Sequence, residues 1–202
     1  MTTHDKLRRE AAALFARRGY GGTSMSEIAD RVGVRKASLY NYYASKADLL
    51  LDLLERSLAQ WEEACRESLA GEATVEERLA AYLGAAVRFG RRNPQALGII
   101  RLAAGQIPGD LRRRVQTLLA SHDAEWRELL TRLFQEAIEK GEVKPANPYE
   151  LGLFWSAFVD GVLINQVFAT AKADTILANL QPLWVFFWRG VSGHMPVTEL
   201  EV

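Results

Sequence analysis

Apolar residues recur at helical spacing from one end of this chain to the other. Leu7, Ala11, Leu14 and Phe15 share one face of a first helix that stops at Gly19. Ile28, Ala29 and Val32 mark the apolar side of a short second helix. Leu39 and Tyr43, four residues apart, mark that of a third over about residues 36–43. Leu50, Leu54, Trp61, Cys65 and Leu69 stripe a long fourth helix that ends before Gly71. Start signals punctuate the rest: Ser45 and Asp48 before the fourth helix, Thr74 and Glu77 before a fifth, Asn93-Pro94 before a short sixth, Asp110 before a long seventh, Asn147-Pro148 before an eighth and Asp174 before a ninth. No stretch alternates with a period of two for long enough to make a strand. The pattern predicts an all-α protein of about nine helices, without internal repeats or a low-complexity linker.

Two regions depart from the ordinary amphipathic pattern. Over residues 23–49 the helices are short and tightly punctuated. Ser24 and Glu27 have the spacing of a capping box, the serine hydroxyl serving the glutamate amide and the glutamate reaching back. Gly33 stands where a left-handed turn residue is needed, and Val34 can dock that turn. This is the form of a helix-turn-helix. The outer face of the third helix carries Lys36, Ser38, Asn41 and Tyr42, and small, polar and basic side chains suit the base edges and phosphates of a major groove. The second region is the last pair of helices, apolar over most of their circumference. Leu151, Phe154, Trp155, Phe158, Val159, Val162, Leu163 and Val167 cover one; Ile176, Leu177, Leu180, Leu183, Trp184, Phe187, Trp188 and Val191 cover the other. Such helices are buried on several sides. A chain of 202 residues cannot make both central, so a second copy is expected to cover one side. Pro182 predicts a kink or a break in the ninth helix.

Charge sharpens this division. The net charge is zero, but residues 1–48 carry nine Lys/Arg against five Asp/Glu, leaving 16 against 20 in the remainder. A basic head on an acidic body orients the head toward a polyanion. The expected domains are therefore a DNA-binding head over residues 1–48 and a body over residues 49–202. Arg91-Arg92 and Arg112-Arg113-Arg114 read first as solvated faces. A sharper reading is a mouth for an anionic ligand such as a nucleotide-linked acyl group, because three arginines in the first turn of a helix oppose its dipole.

Catalytic chemistry is poorly represented. His4, His122 and His194 lack metal-ligand spacing, and His122-Asp123 reads as an exposed or capping pair. Cys65, the single cysteine, excludes an intramolecular disulfide and reads as a small core residue. There is no nucleophile elbow, phosphate loop or paired-carboxylate motif. No catalytic residue, cofactor or metal is expected. The N-terminus lacks the basic-then-apolar pattern of a secretion signal, and the longest uncharged run, residues 175–188, is too short to span a bilayer. The expectation is a soluble, cytoplasmic protein with no membrane partner.

The first fifty residues resemble the DNA-binding domain of the tetracycline-repressor (TetR) family of bacterial regulators. The resemblance is carried by Phe15, Gly19-Tyr20, Thr23-Ser24, Ile28-Ala29, Gly33-Val34, Leu39-Tyr40, Tyr43, Ser45-Lys46 and Leu49. It implies that Lys36, Ala37, Ser38, Tyr40 and Asn41 meet the groove while Ser24, Tyr42 and Lys46 hold phosphates. Tyr42 departs from the family, which usually has a histidine there. The resemblance also implies a two-fold homodimer through helices 8 and 9, and a helical body that binds a small, largely apolar effector. Trp61, Phe89, Leu102, Trp126, Leu130, Trp155, Phe158 and Asn165 could line such a site, although aromatic residues at helical spacing also make an ordinary core. The expected function is a ligand-responsive transcriptional regulator, a repressor released by its effector from a palindromic operator in double-stranded DNA. A constitutive DNA-binding protein without an effector is the alternative, and an α-helical enzyme a more remote one.

Overall fold

The computed structural model describes residues 2–105, 107–167, 180–195 and 197, with the side chains of residues 165–167 outside that set. The helices are α1 (Thr3–Arg18), α2 (Met25–Val32), α3 (Lys36–Tyr40), α4 (Lys46–Arg66), α5 (Val75–Arg92), α6 (Pro94–Ala104), α7 (Gly109–Glu139), α8 (Pro148–Val167) and α9 (Leu180–Ser192). A short 3-10 turn, Glu67–Leu69, follows α4, and no strand occurs among the described residues. Asp174, Ile176 and Leu177, expected in the ninth helix, lie outside the described residues. Pro182 is the third residue of α9, and whether the chain kinks or breaks before it turns on the same undescribed stretch.

The helices gather into two compact units, Met1–Gln60 with Asn93–Ala120, and Trp61–Arg92 with Ser121–Val202. In the first unit, α1 to α4 bury Leu7, Leu14, Phe15, Ile28, Leu39, Leu49, Leu50 and Leu54 completely. That core does not end with the helix-turn-helix. Ile99 and Ala103 of α6 and Leu111 and Val115 of α7 complete it. Gly98 explains how α6 comes so near α1: a Cβ at that position would meet the Ala16 Cβ at 2.7 Å. Only a residue without a side chain permits that approach.

Local start signals operate largely as their spacing predicts. Ser45 accepts from the Asp48 amide at 3.1 Å and donates back to its carboxylate at 2.6 Å. Thr74 and Glu77 make both halves of a capping box, at 3.2 and 2.9 Å. Ser24 and Glu27 make only one half. The Ser24 hydroxyl accepts from the Glu27 amide at 3.2 Å, but the Glu27 carboxylate is taken by Arg18 at the end of α1. An arginine within reach outcompetes a neutral amide for a carboxylate. The price of a local cap is thus exchanged for a link between α1 and α2.

The second unit is organised around α5, which is buried along nearly its whole length. Its segment Ala80-Ala81-Tyr82-Leu83-Gly84-Ala85-Ala86 sets Tyr82 and Leu83 among small residues, so neighbouring helices can close around it. Gly152 plays a similar part in α8, where a Cβ would stand 3.3 Å from the Cβ of Leu130 on α7. α8 and α9 bury Trp155, Val159, Trp184 and Phe187, yet leave Phe154 53% and Phe186 77% exposed. Among the described residues, no helix is long and apolar enough to cross a membrane.

Candidate functional site

Gly33 closes α2 with φ 81°, and the Ala29 carbonyl accepts from the amides of both Gly33 (2.9 Å) and Val34 (3.0 Å). Lys6 places its ammonium on the Val32 carbonyl at 2.7 Å, a cation at the negative end of α2. α3 is shorter than its apolar spacing predicts. It stops at Tyr40 because the Leu39 carbonyl draws in the amides of Tyr42 and Tyr43, both at 3.0 Å, and tightens the last turn. Leu39 and Tyr43 face inward as expected.

Tyr43 is a hub. Its hydroxyl donates to Asp52 at 2.6 Å, accepts from Arg8 Nε at 3.0 Å and lies 2.9 Å from His4 Nε2. Arg8 also donates to Asp52 at 2.9 Å. Burial, reinforced by the Asp52 carboxylate, pushes the Tyr43 phenol up to about 12. Burial alone would raise Asp52 too, but hydrogen bonds from Tyr43, Arg8 and Arg56 outweigh it and hold the carboxyl below its ordinary range. The network pins the segment after α3 to α1 and α4, so the outer face of α3 is held by a satisfied polar cluster and a hydrophobic core.

That outer face is open. Lys36, Ala37 and Asn41 are exposed, Tyr40 is 47% and Tyr42 44% exposed, and Ser38 is half-buried. Tyr42 stacks on His4, with ring centroids 5.0 Å apart. Ser24 is exposed, and its hydroxyl proton remains available after the oxygen has accepted from Glu27. Lys46 is more constrained than its sequence position suggested. Its ammonium donates to the carbonyls of Tyr20 and Thr23, both at 2.8 Å, and sits 4.1 Å from the Tyr20 ring centroid. An ammonium has three N–H groups, so one remains. Burial lowers the Lys46 pKa from its ordinary value.

The candidate effector residues separate. Trp61, Phe89, Trp126, Trp155 and Phe158 form one aromatic cluster in the second unit, whereas Leu102 packs against the core of the first. Leu130 sits beneath Gly152, and the Asn165 side chain lies outside the described residues. The centre of the cluster is Tyr82, which sequence reasoning missed. Its ring centroid is 6.3 Å from Trp61, 5.7 Å from Trp126 and 5.7 Å from Trp155. Trp61 hydrogen-bonds its hydroxyl, and burial raises its pKa well above the ordinary value. The one available signal was a lone large polar aromatic in a run of small residues.

His122 is not the exposed or capping residue expected. Its Nδ1 lies 2.5 Å from Glu62 Oε1, joining α7 to the last turns of α4 within the second unit. Nothing local couples residues sixty apart, so no spacing rule could have found the pair. Cys65 is fully buried, and burial pushes its thiol up to about 12, which removes it from redox chemistry at neutral pH. Arg114 pairs with Asp48 at 2.7 Å, while Arg91, Arg92, Arg112 and Arg113 are exposed. No group of His, Cys, Asp and Glu among the described residues is arranged to hold a metal ion.

Comparison with known proteins agrees with this geometry. The family profile described as "Bacterial regulatory proteins, tetR family" matches residues 7–53. The fatty acid metabolism regulator protein of Bacillus subtilis (strain 168) is 25% identical over 134 residues, 66% of this chain and 67% of that one. Among solved structures, the transcriptional regulator FadR from Bacillus subtilis in complex with stearoyl-CoA superposes with a TM-score of 0.76 at 21% identity, covering 93% of this chain and 99% of that one. AibR in complex with isovaleryl coenzyme A and operator DNA gives 0.69 at 21% identity, covering 89% and 96%. At such identities the superpositions establish the fold. The helix-turn-helix held by Tyr43, the all-helical second unit and these matches agree: residues 7–53 match the tetR family of bacterial regulatory proteins, and the chain is similar to transcriptional regulators built on the same fold.

Proposed function

We propose that the protein is a homodimeric repressor released from a palindromic operator by a small effector. The observation that carries the reading is the open polar face of α3, fixed from behind by the Tyr43 network. In this reading residues 1–48 are the DNA-binding head and residues 49–202 the effector-binding and dimerisation body. Lys36, Ala37, Ser38, Tyr40 and Asn41 meet base edges, and Ser24, Tyr42 and the remaining N–H of Lys46 hold phosphates. Arginine or lysine contacts to phosphate carry the salt dependence, while groove contacts carry sequence preference. Asn41→Ala should therefore relax preference at one base position, and Lys36→Ala should lower affinity for the selected duplex. A duplex selected from a random pool, titrated at several salt concentrations, tests both. Full affinity and unchanged preference in each variant would refute the assignment.

One head offers only three or four base-reading side chains, so two are needed for a specific site, with recognition helices about 34–36 Å apart. The exposed Phe154, Leu153 and Ile164 of α8 and Phe186 of α9 support a second copy as their cover. Trp184, by contrast, is completely buried within its own unit.

For the effector, the reading is a coenzyme A thioester. Its support is that two solved proteins of the same fold are described with stearoyl-CoA and isovaleryl coenzyme A, and that exposed arginines are available for phosphates. Because the AibR complex holds both its thioester and operator DNA, the sign of the coupling must be measured. Titrating stearoyl-CoA and isovaleryl-CoA into the protein–duplex complex should lower duplex affinity, and no change with either would remove the thioester reading.

A further inference from the structure

Both units contain buried aromatic groups with a polar handle, but among the described residues the buried side-chain donors without a partner all lie in the second unit. Trp155 is completely buried, and its Nε1–H has no partner. The Trp126 ring is only partly covered, with the Arg66 guanidinium 5.5 Å from its centroid, yet its Nε1 is buried and also unpartnered. The third such atom among the described residues, Arg78 Nε, belongs to a side chain already paired with Glu136. Trp126 comes from α7 and Trp155 from α8, and both rings meet Tyr82, each at 5.7 Å between centroids. Tyr82 is itself served by Trp61. Two orphaned donors thus flank one aromatic hub, within a wall of Trp61, Phe89 and Phe158.

Native proteins pair nearly all their buried donors, and an unpaired one is costly, so two on neighbouring rings call for an acceptor from outside the chain. An indole N–H donates and never accepts. The complementary ligand therefore brings oxygen acceptors and no obligatory donor. The surrounding rings present flat faces and edges, which pack best against another ring. We propose that Trp126 and Trp155 are the polar anchor of the effector site in the second unit, and that they select a compact aryl carbonyl group. This rests on the reading that the second unit takes an effector, and it assigns the chemistry of the part that enters the aromatic cluster. A saturated straight chain would leave both donors unpaired.

The test uses the full-length protein with two probes of matched shape, acetophenone and ethylbenzene. The five tryptophan indole N–H resonances are recorded by nitrogen–proton correlation spectroscopy. Trp126→Phe and Trp155→Phe assign two of them. A pocket without donors would favour the hydrocarbon by about ten-fold or more, since burying an unpaired carbonyl is unfavourable. The expected result is that acetophenone binds at least as tightly as ethylbenzene and moves the Trp126 and Trp155 signals downfield. Trp155→Phe should restore the hydrocarbon preference, and Trp184→Phe, an equal loss of volume, should not. Preference for ethylbenzene in the unmodified protein, or acetophenone binding that leaves both indole signals in place, would overturn the proposal. A parallel titration with stearoyl-CoA and operator duplex separates the two readings. Thioester-dependent DNA affinity with unmoved indoles overturns only the aryl carbonyl anchor, whereas no response to any probe overturns the effector reading as well.

Discussion

The two tyrosine hubs set the halves of this protein apart. Tyr43 spends its hydroxyl fully on Asp52 and Arg8, beside His4, in a unit whose remaining buried core is aliphatic apart from Phe15. Tyr82 is ringed by indoles, two of which have nothing to donate to. Among the described residues the first unit leaves no buried side-chain donor or acceptor without a partner, and it presents the polar face of α3. The second is incomplete twice over, in its unpaired donors and in the exposed phenylalanines of α8 and α9. A region that must hold a geometry satisfies its polar groups, and one that must respond to a partner leaves some for that partner.

The largest expected effect comes from denying the second unit its cover. Phe154→Glu combined with Phe186→Glu should give a folded monomer by light scattering, with operator affinity lower by about a hundred-fold or more, because one head loses the gain of linked binding. A dimer with full affinity would show that these side chains are not the interface.

Next is the contrast between the hubs. Tyr43→Phe leaves Asp52 and Arg8 short of a partner and should cost about 1–3 kcal/mol. Trp155→Phe removes a donor that had no partner, so its cost in thermal unfolding should be that of lost volume alone. A Trp155→Phe protein destabilised by more than its lost volume accounts for would mean that the Trp155 N–H is already satisfied.

Gly98→Ala should be smaller. The new methyl collides with Ala16, an overpacking cost of about 1–3 kcal/mol, but helix propensity returns about 1 kcal/mol. Reduced duplex affinity larger than the loss of stability would indicate that the α1–α6 approach positions the head as well as supporting it.

The smallest effect is on alkaline stability. The Tyr43 and Tyr82 phenols both ionise later when folded than when unfolded. Their contribution is fully present below the unfolded value of about 10 and is lost as pH rises through the folded values. For Tyr43 the loss falls between the unfolded value and about 12. In Tyr43→Phe that part of the alkaline decline, followed by circular dichroism, should disappear.

Much of this architecture was legible because its signals are local. Gly33, the Ser45–Asp48 cap and the inward Leu39–Tyr43 pair are encoded within four residues and appear as expected. The same locality explains the misses. Glu27 fits a capping box, but Arg18, nine residues earlier, takes its carboxylate. The hub partners of Tyr43 lie at His4, Arg8 and Asp52, and His122 meets Glu62 across two helices; such pairings have no period to detect. The aromatic candidates Trp61, Phe89, Trp126, Trp155 and Phe158 do assemble, yet their organiser Tyr82 lay in a helix that reads as small and unremarkable. That α6 and the start of α7 complete the core around the helix-turn-helix was likewise invisible, because their apolar stripes fit any partner equally well.

The central claim is that occupancy of the second unit changes the DNA affinity of the first. The direct measurement is calorimetric affinity of isovaleryl-CoA, stearoyl-CoA and acetophenone with and without a saturating operator duplex. Linkage requires that a ligand lowering duplex affinity be bound more weakly, by the same factor, when the duplex is present, typically about 5–150-fold. The account predicts such a difference for at least one of these ligands. Equal affinities for every ligand that binds would contradict it, leaving a constitutive DNA-binding protein whose second unit serves only to pair two heads.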